Sequence, residues 1–133
     1  MKLKQLLLAV VACAIPLAAM AGSPHFTTVS VTQDGNSVLV TGKIAGLGNE
    51  TQVHIEVSGT AACINPGGQD PKAANKETFS VAGDFPVQNG KAVFALELEA
   101  TFDPSCSPPM TVEWTDIIVS DVEHDLTYGP INF

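Results

Sequence analysis

TQVHIEVSGTA, residues 51–61, alternates without a fault: Val53, Ile55 and Val57 fall on one side of an extended chain, His54, Glu56 and Ser58 on the other. A period of two makes a strand with one greasy and one wet face, the pattern of an antiparallel sheet packed on one side only. KAVFALELEATF (91–102) repeats it, with Ala92, Phe94, Leu96, Leu98 and Ala100 inward and Glu97 and Glu99 outward. Working outward from these two, HFTTVSVT (25–32), SVLVTGKIA (37–45), ETFSVAG (77–83), MTVEWTDIIVSDV (110–122) and LTYGPINF (126–133) also read as strands. QDGN (33–36) and QNG (88–90) supply hairpin turns between neighbours. No apolar stripe of helical period competes. Seven short strands separated by Gly, Asn and Pro turns predict an all-β fold, an antiparallel immunoglobulin-like β-sandwich.

Two strands carry qualifications. In the sixth, the apolar set changes parity from Val112 and Trp114 to Ile117 and Val119, whereas Ile118 and Val122 keep the old parity. A bulge near Thr115–Asp116 reconciles the two sets, as does burial of both faces of a central strand. In the last, Pro130 lacks a backbone N–H and demotes its segment to an edge or a bend. Trp114, the only Trp, falls on an inward position and reads as core rather than as a ligand platform.

The first 21 residues do not belong to this pattern. Lys2 and Lys4 precede the apolar run LLLAVVACAIPLAAM, and AMA (19–21) offers the small side chains that a signal peptidase reads. An export signal cut after Ala21 leaves one domain, residues 22–133, in a secreted or periplasmic location. VVAC (10–13) leaves a lipoprotein reading open, with Cys13 as the acylated residue. With the signal removed, four Lys face fourteen carboxylates, a net charge near −10. Such a surface repels nucleic acid and anionic lipid, and no later apolar run reaches membrane length.

Cleavage also leaves two cysteines, Cys63 and Cys106. An even number in an exported chain implies a bridge, and only one intramolecular pairing exists. Each cysteine borders a segment that Pro and Gly keep out of a ladder: INPGGQDPKAANK (64–76) and FDPSCSPP (102–109). The bridge would place both at one end of the sandwich, where loops usually carry binding. Asn65, Gln69, Asp70, Lys72, Asn75 and Lys76 supply donors and acceptors suited to an extracellular protein or a glycan. The competing reading has Asn65 and Asn75 satisfying their own loop backbone.

CINPGGQDPKAANKE (63–77), NGKAVFALELEAT (89–101) and CSPPMTVEWTDIIVSDV (106–122) together resemble a group of small exported bacterial and fungal proteins with a Cys-x-Asn-x-Gly-Gly loop, a later Asn-Gly turn and a second Cys before a long Thr/Val-rich strand. The resemblance covers residues 45–128. It implies a secreted β-sandwich with one disulfide and brings no activity with it.

Chemistry beyond binding finds little support in the residues. There is no G-x-S-x-G, and His25, His54 and His124 have no catalytic signature around them, so the chain is expected not to be an enzyme. An enzyme would need a pocket in which His and carboxylate groups converge. Cys106 and Met110 have no His between them, which disfavours a blue-copper site. Calcium is the metal the residues suit best: SDVEHD (120–125) packs Asp121, Glu123 and Asp125 into six residues, although on a strand these would share one solvated face. No other cofactor is expected. The reading is a monomeric, non-catalytic binding or surface-interaction module. A structural subunit assembling through edge strands is the alternative.

Overall fold

Alternation of the kind seen in residues 51–61 is stable only when the apolar sides of two sheets meet. A computed structural model, which describes residues 23–65 and 76–133, has this arrangement. Its strands are β1 (His25–Asp34), β2 (Ser37–Ala45), β3 (Gln52–Ile64), β4 (Lys76–Pro86), β5 (Ala92–Glu99), β6 (Thr111–Asp121) and β7 (Leu126–Ile131). Their pairings are antiparallel, in a three-stranded sheet β1–β2–β5 and a four-stranded sheet β4–β3–β6–β7. In an immunoglobulin constant domain the fourth strand pairs with the fifth. Here it pairs with the third, with Gln52 opposite Pro86 and Ala62 opposite Lys76. No helix among the described residues is long and apolar enough to cross a membrane.

The core lies between the sheets. Val38, Val40 and Ile44 from β2 and Phe94 and Leu98 from β5 meet Val53, Ile55 and Val57 from β3 and Trp114, Ile117 and Val119 from β6, all buried. The inward and outward residues of β5 alternate along its whole length as the sequence reading requires. Trp114 has no exposed surface and is core. It fits because the inward position beside it is Gly59, where a Cβ would lie 2.6 Å from the Ile117 side chain and 3.3 Å from the indole. Gly42 does the same for Phe94, its cross-strand neighbour. Adding a methyl at either place overpacks the core, at a typical cost of about 1–3 kcal/mol.

The parity change in β6 is a bulge. Two steps along β3, from Ser58 to Thr60, span three along β6, from Ile118 to Thr115, so Ile117 returns to the inner face. Asp116 takes a positive φ of 56°, and its freed N–H donates to Asn132 Oδ1 at 2.8 Å. The outer face is not a second core: Ile118 is half-buried and Val122 is exposed. β7 is an edge strand, and its register with β6 breaks around Gly129–Pro130.

The registers sort the connections into two ends. At one end stand the β1–β2 hairpin, the β3–β4 connection and the β5–β6 connection. At the other stand the β2–β3 connection, the β4–β5 turn and the β6–β7 turn.

Candidate functional site

The first end is held by sulfur. Cys63 and Cys106 form a disulfide across a Cα–Cα distance of 5.7 Å, joining the end of β3 to the β5–β6 connection. Met110 Sδ lies 3.7 Å from Cys63 Sγ. The hairpin is tied in as well: Gln33 Nε2 donates to the Val112 carbonyl at 2.9 Å, and the Ala100 N–H donates to the Asn36 carbonyl at 3.0 Å. Between these ties lies an open depression of about 500 Å³ whose lining includes Gln33, Asn36, Cys106, Pro108, Met110 and Thr111. Amide and hydroxyl groups border it, and the disulfide and the Met110 thioether supply an apolar floor.

The sequence set its candidate ligand residues between β3 and β4, directly after Cys63 in the chain. Asn65 follows β3 at an exposed position. Gln69, Asp70, Lys72 and Asn75 lie outside the described residues, as do residues 1–21. Lys76 is corrected: it is not a loop residue but opens β4, opposite Ala62. The pairing of β3 and β4 runs further than the sequence implied, because Ala61, Ala62 and Cys63 stay buried and extend the ladder to Ile64.

The structure also places the three candidate calcium ligands. β6 ends at Asp121, and residues Val122–His124 form a short 3-10 turn. Asp121 caps the turn with its side chain and is completely buried, whereas Glu123 is exposed and Asp125 sits beyond the turn at φ 57°. The three carboxylates therefore do not share a solvated face. The cause is local. A cap side chain must fold back onto the turn it closes, and Asp tolerates the left-handed conformation that ends it. Among the described residues no group of three or more His, Cys, Asp or Glu side chains is arranged to hold a metal ion.

Asp121 instead takes part in a cluster that draws in a distant part of the chain. The His124 backbone N–H donates to Asp121 Oδ1 at 3.3 Å, and the ring Nδ1 meets Asp121 Oδ2 at 2.6 Å. The other ring nitrogen, Nε2, meets Oε2 of Glu50, from the β2–β3 connection, also at 2.6 Å. The two carboxylates thus lie at opposite edges of one imidazole and cannot converge on a common ion. Both contacts are hydrogen bonds only if His124 carries two ring protons. Partial burial works against that charge, but the hydrogen bonds and charges of Glu50 and Asp121 outweigh it and raise the His124 pKa above the ordinary 6.5.

A second histidine stands nearby on the outer face of β3. His54 Nδ1 lies 2.8 Å from Asp84 Oδ1 on β4, and Nε2 lies 3.6 Å from Glu56. The hydrogen bond to Asp84, with help from Glu56, raises its pKa too. Asn49, Glu50, Thr51, Gln52, His54, Asp84 and Glu123 line an open depression of about 420 Å³. This end therefore gathers His and carboxylate groups, which the sequence reading set as the requirement for an enzyme. Among the described residues no serine or cysteine lines the depression, and both ring nitrogens of His124 face carboxylates. The i, i+3 pair Asp121–His124 at a strand end was a readable signal. Glu50, 74 residues from His124, was not.

No protein-family model, curated protein or solved structure matches the chain.

Proposed function

We propose that the chain is an exported, non-catalytic binding module that engages an extracellular protein or glycan at its disulfide end. The observation that carries this reading is the neutral, amide-bordered depression beside Cys106 and Met110, walled by segments that the disulfide and the Gln33 bridge hold in place. Preorganised walls lower the ordering cost of binding. Amide and hydroxyl groups above an apolar floor suit a sugar ring or an exposed peptide edge. The export signal read over residues 1–21 and the resemblance to small exported β-sandwich proteins support the same reading.

Assembly through edge strands finds less support. The β7 edge is interrupted at Pro130, which has no N–H to offer a partner, and the β4 edge opens with Lys76 and ends with Pro86.

A glycan array and a thermal-shift screen of the mature protein test the proposal. A ligand that raises the melting temperature of the native protein but not of a variant carrying Asn36→Lys and Thr111→Lys supports it. A ligand that stabilises both proteins equally overturns the assignment to this end. Concentration-dependent polymers in size-exclusion chromatography would favour edge assembly instead.

A further inference from the structure

The other end carries an independent device. We propose that Glu50, His124 and Asp121 form a proton-dependent clasp, closed while His124 carries both ring protons, that fixes the β2–β3 connection onto the β6–β7 turn and releases it when one proton leaves.

The inference follows from which partner gives way. A neutral imidazole has one N–H, and it faces two carboxylates. Asp121 has no exposed surface, and water cannot replace a donor that it loses. Glu50 is 42% exposed and can be solvated at little cost. The remaining proton therefore stays on Nδ1 with Asp121, where the turn geometry also holds the His124 N–H. Nε2 then presents a lone pair to Glu50 Oε2 at 2.6 Å, a contact that must open. The β2–β3 connection keeps its other anchors, the buried Leu47 side chain, the Leu47 N–H to Gly90 carbonyl bond of 2.9 Å and the Val87 N–H to Thr51 carbonyl bond of 3.0 Å.

The surroundings favour the closed form when protons are available. On its own segment His124 neighbours Glu123 and Asp125 besides Asp121. Across the depression stand His54 on β3 and Asp84 on β4, with Glu56 beside His54. All of these except His54 are acidic, and His54 has its own carboxylates. Release of Glu50 would free the connection from the turn at this point, so acid closes this end and alkali opens it.

Hydrogen exchange on the mature protein in chelator tests the clasp. The Glu50 amide, bonded to the Leu47 carbonyl at 3.2 Å, is the reporter, and His124 ring resonances give the titration. In the native protein its protection, corrected for intrinsic exchange, should fall about tenfold as His124 loses its proton, the size expected for one hydrogen bond to a charged group. Glu50→Gln should hold the protection at both pH extremes, because an amide can accept from the imidazolium and donate to the neutral ring. Glu50→Ala should remove it at both. His54→Gln should leave the transition in place, and unchanged protection around Cys63 certifies that each variant is folded. A flat native profile across the His124 titration overturns the proposal. So does a transition that survives in Glu50→Ala, one that vanishes in His54→Gln, or one that moves when calcium replaces the chelator.

Discussion

The two ends of this sandwich carry the same number of connections but are closed by different chemistry. The disulfide end holds the β5–β6 connection and ties it to the end of β3 with a covalent bridge, while the Gln33 amide ties the β1–β2 hairpin to β6. The clasp end holds short connections and joins the β2–β3 connection to the β6–β7 turn through one histidine shared between two carboxylates. The difference teaches where a small domain places a covalent bond. Ordering a long connection has a larger entropic cost, which a bridge offsets by restricting the unfolded chain. A short turn needs only a cap and an ion pair. One end should therefore answer to reductant and the other to pH.

The largest effect should come from breaking the bridge. Cys63 and Cys106 are 43 residues apart, and removing the closed loop should cost about 4 kcal/mol, read as a lower urea midpoint for the Cys63→Ser/Cys106→Ser variant or in reductant. The loss should be the same at acid and alkaline pH. A midpoint unmoved by reductant would erase the contrast between the ends.

Next in size is Asp121→Asn. It keeps the shape of the cap but removes the charge that faces the imidazolium in a buried place, and should cost about 1–3 kcal/mol. The penalty should be largest at low pH, where His124 is charged.

A smaller effect, with a defined sign, is the pH dependence of the native protein. The folded-state pKa values of His124 and His54 lie above the unfolded 6.5. Their contribution is complete below about pH 6.5 and is lost as the pH rises through the folded values. Urea midpoints measured from about pH 6 to about pH 9 should fall. His124→Gln should flatten most of the slope, because His54 is solvent-screened. The smallest effect is His54→Gln itself, which should leave the midpoint unchanged, as exposed ion pairs do. A large loss there would give the outer face of β3 a structural weight that its exposure does not suggest.

Much of the fold was legible in the residues. Alternation in β3 and β5, the turns at Asp34–Gly35 and Asn89–Gly90, and the parity change in β6 are local signals, and each marks a structural feature where it was read. The cysteine pair was legible by count once residues 1–21 were read as an export signal. Less of the site was legible. Lys76 looked like loop because Asn75 precedes it in a run already broken by Pro66 and Pro71, yet the buried run Ala61–Cys63 draws the ladder out to meet it. SDVEHD looked like a solvated acidic strip because its alternating carboxylates mask the i, i+3 spacing of Asp121 and His124, the local sign that the strand stops at Asp121.

The sequence by itself determined the strands and the parity change in β6, and it pointed to the Cys63–Cys106 pair once an export signal is set aside, because period, turn chemistry and cysteine number act over a few residues or by exclusion. Tertiary structure alone decided that the fourth strand joins the third, that Asp121 is buried, and that Glu50 reaches His124 across 74 residues. Those outcomes depend on how two sheets stack and in which register, and the free energy of stacking is shared among many side chains rather than written at any one of them.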